Sequence, residues 1–209
     1  MKTYHKIPTV YSRDPETNYK SLLIGQFATT ELDYLQHNIW VFTEKVDGTN
    51  IRVMFENEQI TFGGKTDKAQ IPASLVNKLN EIFLPKIETF KELFNDAEVC
   101  LYGEGYGPKI QKGGGNYRKD QSFVLFDIRI GEWWLKREDI EDIAKKFGLD
   151  VVPIIGEGTL REMVDKAKKG FNSIWGDFAA EGIVARPKTE LIARNGLRII
   201  TKIKFKDFQ

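Results

Sequence analysis

Apolar residues fall into short alternating runs along most of this chain, broken by a few stretches with helical spacing. Ile51, Val53 and Phe55 alternate with Arg52, Met54 and Glu56, which predicts a half-buried strand. Asn57-Glu58 then turns the chain into Gln59-Ile60-Thr61-Phe62, completing a hairpin. Strands are also predicted over 39–43, 98–104 and 122–130, and the unbroken run Phe123-Val124-Leu125-Phe126 reads as a central one. After Pro72, Leu75, Leu79, Ile82 and Phe83 share one helical face. Ile140, Ile143, Ala144 and Phe147 mark a second amphipathic helix, which Gly148 ends. Thr159 and Glu162 have capping-box spacing, and Leu160, Met163, Val164 and Ala167 continue an apolar helical face from there. The C-terminal region returns to β, with one strand over 181–186 and Asn195-Gly196 as a hairpin turn between two more. The layout is α+β, mainly antiparallel sheets flanked by helices. No repeat and no Pro/Ser-rich linker divides it, so a single domain over 1–209 is expected.

Composition narrows the setting. With 41% hydrophobic residues, 14 Phe, 7 Tyr and 4 Trp, the chain can fill a substantial core. Its 31 Lys+Arg nearly balance 30 Asp+Glu, so any contact with a polyanion must be local. Cys100 is the one cysteine, which rules out an internal disulfide and fits a reducing compartment. No apolar run approaches membrane-spanning length, and the opening MKTYHKIPTVYSRDPE has no signal-peptide core. A cytoplasmic protein with no membrane association is the expectation.

The sharpest local signal is Glu44-Lys45-Val46-Asp47-Gly48-Thr49-Asn50, set between two predicted strands. A lysine at a strand end can be held rigidly in a cleft and can attack phosphorus to form a phosphoramidate. Gly48 permits a tight turn and close backbone approach to a ligand. Alone, K-x-D-G is short, and a charged turn between strands satisfies it equally. Further pieces follow in order: Tyr102-Gly103-Glu104-Gly105, Phe126-Asp127, Glu181-Gly182-Ile183-Val184, and Thr201-Lys202-Ile203-Lys204 with two lysines on one strand face. Phosphoryl transfer needs cations for the triphosphate, carboxylates for a divalent metal and an aromatic surface for a base. Singly, each has a bland reading: a solvated strand-end acid, a core phenylalanine, or lysines guarding a sheet edge.

As an ordered set these residues resemble the covalent nucleotidyltransferase superfamily of DNA ligases, RNA ligases and mRNA capping enzymes. Lys45-Val46-Asp47-Gly48 is similar to its first motif, Glu104 to the third, Phe126-Asp127 to the aromatic motif that follows, Glu181-Gly182-Ile183-Val184 to the fourth and Lys202-Ile203-Lys204 to the fifth. The resemblance spans Thr43 to Phe205. Where DNA ligases and capping enzymes typically carry arginine, this chain has Asn50, and Thr49-Asn50 resembles the phage RNA ligase 2 and editing-ligase group. Lys65 stands where that group usually has arginine, which keeps the charge and loses bidentate phosphate geometry.

The resemblance implies an ATP-grasp-like nucleotidyltransferase (adenylation) domain and an ATP-dependent RNA ligase active in RNA repair. Lys45 would attack the α-phosphate of ATP, leaving AMP covalently on Lys45. The adenylate would pass to an RNA 5′-phosphate, and a 3′-hydroxyl would displace AMP. Lys202 and Lys204 would bind the α-phosphate region and help keep Lys45 unprotonated. Glu104 would contact the ribose, Phe126 would stack on adenine, and Glu181 would help bind magnesium or manganese. Asp47 would orient the nucleophile or hold metal-bound water, while Thr43 and Glu44 border the base pocket, one or the other reading adenine. A DNA ligase, a capping guanylyltransferase and a non-catalytic RNA-end-binding module remain open alternatives. The chain stops soon after the fifth motif, at Gln209, so no C-terminal accessory domain is expected. Grip on nicked or single-stranded RNA ends would then come from this domain or from an accessory protein or domain. The basic segment 107–119, with Tyr117 available to stack on a base, is a candidate for it.

Overall fold

A computed structural model describes residues 3–209. The chain divides into two compact units: Asp47–Val152 with the residues through Tyr4, and His5–Val46 with Pro153–Gln209. The second unit is begun by β1 (Tyr11–Arg13), β2 (Leu22–Phe27), α1 (Thr30–Tyr34) and β3 (Trp40–Lys45). The chain then builds the first unit: β4 (Thr49–Glu56), β5 (Gln59–Gly63), α2 (Ala73–Phe83), α3 (Ile87–Phe94), β6 (Val99–Tyr106), β7 (Ser122–Ile130), β8 (Trp133–Trp134), α4 (Arg137–Phe147) and β9 (Asp150–Val151). It returns to complete the second with β10 (Ile154–Gly158), α5 (Leu160–Lys169), β11 (Gly182–Pro187) and β12 (Thr201–Lys204).

The inserted unit holds a six-stranded sheet in the order β5-β4-β6-β7-β8, with β9 parallel to β7. Its alternation is the expected one: Ile51, Val53, Phe55, Leu101, Phe123 and Leu125 all face one apolar core with α2, α3 and α4. Asn57 and Glu58 both take left-handed φ, 50° and 57°, as a two-residue hairpin turn requires. Gly148 closes α4 at φ 60°, where a side chain would be strained. The opposite sheet face differs from expectation. Arg52, read as the exposed phase of a half-buried strand, is 1% exposed, because the loop after β5 folds over it.

The other unit carries a four-stranded sheet, β10-β3-β11-β12, and a separate β1-β2 pair. Trp40 and Phe42 of β3, Ile183 and Ala185 of β11 and Ile203 of β12 bury one face against Leu160, Met163, Val164 and Ala167 of α5. The capping box of Thr159 and Glu162 forms as the sequence predicts. Asn195-Gly196 also turns, but it is flanked by one isolated bridge, Ile192 to Arg198, instead of two strands. The edge of β12 is covered by Pro8–Val10, whose backbone bonds to Lys202. Cys100 is buried in β6, and burial pushes its thiol up to about 11. Among the described residues no helix is long and apolar enough to cross a membrane.

Candidate active site

Within the four-stranded sheet, strand register assembles a cationic face. Period two puts Thr43 and Lys45 of β3 on the side away from the α5 core, together with Gly182 and Val184 of β11 and Lys202 and Lys204 of β12. Gly182 pairs with Lys45 on one side and Lys204 on the other, so both lysines flank a position that has no side chain. Across two strand spacings their backbones are roughly 10 Å apart. Glu181, one residue earlier, closes that gap. Its Oε2 lies 2.6 Å from Lys45 Nζ and its Oε1 2.6 Å from Lys204 Nζ. Both partners are mostly shielded from solvent, which strengthens the pairing relative to a surface bridge. Lys202 stands in the next row, across Val184 from Thr43. This face therefore brings the ammonium groups of Lys45, Lys202 and Lys204 together beside the Glu181 carboxylate, a grouping suited to phosphate.

The same alternation separates Thr43 from Glu44. Thr43 shares the lysine face and donates its hydroxyl to Val184 O at 3.1 Å. Glu44 points to the opposite, buried side, where its Oε2 accepts Ile174 N–H at 2.9 Å and its Oε1 has no partner. Burial raises the Glu44 pKa, and hydrogen bonds from Ile174 and Ser173 pull the other way.

In the six-stranded sheet the chemistry-bearing residues lie on the face away from the helices. Asn50 of β4 pairs with Glu104 of β6, so both point to that side. Asn50 Oδ1 is buried with no hydrogen-bond partner, an acceptor left for a ligand donor. Glu104 lies two residues inside β6 and does not end it. Phe126 lies mid-strand, as the extra residue of a bulge: Leu125 pairs with Gly103 and Asp127 with Tyr102. Its half-buried ring meets Tyr4 edge-on at 5.2 Å. Asp127, fully buried, accepts the Tyr4 hydroxyl at 2.7 Å. Gly48 is needed for close approach to β6, since a Cβ there would run into the Gly105 carbonyl and the Glu104 side chain.

Two expectations change. Tyr117 is buried, and its hydroxyl accepts the Asp47 backbone N–H at 3.0 Å, so its ring is not offered to a base. Gln111 donates to Gly48 O at 3.0 Å; the segment 107–119 thus braces the Asp47-Gly48 turn. Lys65 sits exposed in the loop after β5. Among the described residues no three His, Cys, Asp or Glu side chains cluster as a metal cage. A divalent ion would fit only as one carried on phosphate oxygens with Glu181 as a single protein carboxylate, which is a common way to hold magnesium.

A model of the RNA ligase family matches residues 38–204. The chain belongs to the RNA ligase family. That match takes in both compact units. Solved structures of Naegleria gruberi RNA ligase share the family fold. One point mutant with ATP and Mn has a TM-score of 0.61 at 20% identity, covering 82% of this chain and 51% of that one. Another with ATP and Mn reaches 0.67 at 18% identity, covering 96% and 55%. A mutant with AMP and Mn gives 0.65 at 18%, covering 98% and 58%. The chain thus spans between 51% and 58% of the length of these RNA ligases. Sequence reasoning about this family member gave Tyr117 a different role and missed the burial of Arg52 and the Tyr4–Asp127 pair. Only the Gly63-Gly64 dipeptide beside Arg52 hinted at a close approach.

Proposed function

We propose that this chain is the adenylating part of an ATP-dependent RNA ligase, with Lys45 as its nucleophile. The observation that carries the reading is the Glu181 carboxylate shared by Lys45 and Lys204, 2.6 Å from each, on a sheet face that also bears Lys202. Lys45 is the last residue of β3, so backbone pairing and the ion pair together restrict where its amine can go. In this reading the Lys45 amine forms a bond to the α-phosphorus of ATP as the bond to pyrophosphate breaks, and the amine proton is lost to solvent. Lys202 and Lys204 neutralise the phosphate oxygens as charge develops there. A bound magnesium or manganese ion would supply further charge neutralisation, with Glu181 as its carboxylate.

The remaining assignments follow the chemistry of each group. Glu104, with the unpartnered Asn50 carbonyl beside it, binds ribose hydroxyls. Phe126 offers its half-buried ring to adenine. Asp47 orients the nucleophile, with its backbone fixed by Tyr117. Of the two candidates beside the base, Thr43 is favoured because it shares the Lys45 face, whereas Glu44 is engaged on the buried side. Lys65 contacts phosphate. We treat the two units as halves of one adenylation domain because the family match runs through both. The polynucleotide partners are RNA ends, nicked or single-stranded, gripped by this domain or with help from an accessory protein. A lone, buried thiol suits a cytoplasmic setting.

Incubation with ATP and magnesium, followed by mass spectrometry of the Lys45 peptide, tests the chemistry. The expected result is an added AMP. A nucleotide adduct formed from GTP and not from ATP would overturn the ligase reading in favour of a capping enzyme.

A further inference from the structure

We infer that Arg52 is a positioning residue for Lys65, holding in one shape the loop that offers Lys65 to a phosphate group. The inference rests on the proposed ligase activity. Arg52 lies in the middle of β4, and its guanidinium is almost wholly buried. It reaches the loop at two points that bracket Lys65. Its Nε donates to Gly64 O at 2.9 Å, and its Nη2 donates to Asp67 Oδ1 at 2.7 Å.

The loop is shaped around this fork. The guanidinium lies flat against Gly63, where a Cβ would come within 2.9 Å of Nη2. Gly64 packs on Ala69, whose own Cβ would be 2.8 Å from a Cβ at residue 64. Ala69 N–H donates back to Thr66 O at 3.1 Å, closing a turn. Lys65 and Lys68 project from this turn into solvent on either side of Asp67.

Burying an arginine to hold an aspartate that is 80% exposed is a poor way to gain stability, because desolvation offsets most of the attraction. It is an effective way to fix a loop, since the planar fork sets direction at two points where a lysine would set one. A flexible lysine loses side-chain and backbone freedom when it grips a phosphate, and a loop already ordered by Arg52 loses less. The arrangement thus restores part of the geometric definition that Lys65 lacks by not being an arginine.

The phosphate can belong to ATP or to the RNA 5′-end, and two assays separate them: lysyl-AMP formation against ATP concentration, and sealing of 5′-phosphate RNA by pre-adenylated enzyme against RNA concentration. Lys65→Ala is expected to raise KM about tenfold in one of these, the size of one charge-assisted contact, with the saturated rate kept. Asp67→Asn and Arg52→Lys should raise KM in that same assay. The double variant Lys65→Ala with Asp67→Asn should be no worse than Lys65→Ala alone. Asp67→Asn keeps an oxygen to accept from Arg52 Nη2 at the exposed end of the pair, so the fold should hold, and a melting curve on each variant separates positioning from folding. A raised KM for Lys65→Ala with normal KM for Asp67→Asn and Arg52→Lys overturns the positioning role, as does no effect of Lys65→Ala in either assay. Absence of lysyl-AMP in the unsubstituted protein instead overturns the functional reading on which the role depends.

Discussion

In the four-stranded sheet, the charged side chains Lys45, Glu181 and Lys204 bond to one another at strand ends. In the six-stranded sheet, Arg52 and Asp127 are buried mid-face, and each bonds outward to a loop or to the N-terminal segment. In the function we propose, the first arrangement is a movable charge balance, in which the carboxylate that holds two lysines releases either to a phosphate. The second is a fixed frame, because a buried guanidinium or carboxylate stripped of its partner is left uncompensated, at a cost of several kcal/mol. In our reading the small sheet supplies the reacting groups, and the large sheet is the stiffer support of its own side chains.

The largest effects should come from the charge balance. Lys45→Ala should abolish attachment of AMP while leaving the fold intact, because Glu181 keeps Lys204 as a partner. Intact-mass measurement after incubation with ATP reads the first, and thermal melting reads the second. An adduct on Lys45→Ala would place the nucleophile elsewhere and remove the contrast between the sheets. Next in size, and on the side of the frame, is Gly48→Ala. The added methyl collides with the Gly105 carbonyl and the Glu104 side chain, so the turn must shift. A displacement near 1 Å in a positioned group lowers rate about hundredfold. Gly115→Ala, where a Cβ meets nothing within 4 Å, is the matched control and should keep full rate.

Much of this was legible in the chain because the deciding signals were local. The hairpin at Asn57-Glu58, the end of α4 at Gly148 and the Thr159–Glu162 box each depend on residues within a turn of one another. Lys202 and Lys204 share a face for the equally local reason of period two. What escaped depends on distant partners. Arg52 read as exposed because nothing in the alternation of β4 reports that residues 64–67 fold over it. Segment 107–119 read as a free basic loop, yet its Tyr117 is bound to Asp47, 70 positions away. The bulge at Phe126 was invisible too, since it arises from the pairing of β6 with β7 and not from either strand alone. Asn195-Gly196 failed the other way: the turn formed, but its flanks made one bridge instead of strands.

Glu44 probes the buried side of the small sheet. Burial raises its folded-state pKa above the ordinary 4.5 of the unfolded chain. A carboxyl of that kind favours folding while protonated. Its contribution is present below pH 4.5 and is lost as pH rises through the folded value. Glu44→Gln removes the charge and keeps an oxygen for the Ile174 N–H. The variant should therefore melt higher than the parent near pH 7, and the gap should close as pH falls toward 4. Parallel melts across that range check it. A gap that widened on acidification would mean that the carboxylate is stabilised where it lies.

The smallest expected effect concerns the helix behind the reacting face. Thr159 caps α5 by accepting Glu162 N–H at 3.3 Å, and Glu162 returns the bond to Thr159 N–H at 2.7 Å. α5 in turn packs Leu160, Met163, Val164 and Ala167 under Trp40, Phe42 and Ile183, the core side of the strand that carries Lys45 and of the strand that Glu181 precedes. Thr159→Ala leaves those apolar contacts and removes one cap, for a loss of about 1 kcal/mol. In a chain of 209 residues that lowers the melting temperature by roughly 2–4 °C. Hydrogen exchange can show where the loss falls. Amides in the first turn of α5 should exchange faster, while those of β6 and β7, which belong to the other core cluster, should keep their protection. AMP attachment should proceed at the parent rate, because the cap touches none of Lys45, Glu181 or Lys204. A drop in that rate with unchanged exchange in α5 would show that the reacting face depends on Thr159 by a route other than the stability of its supporting helix.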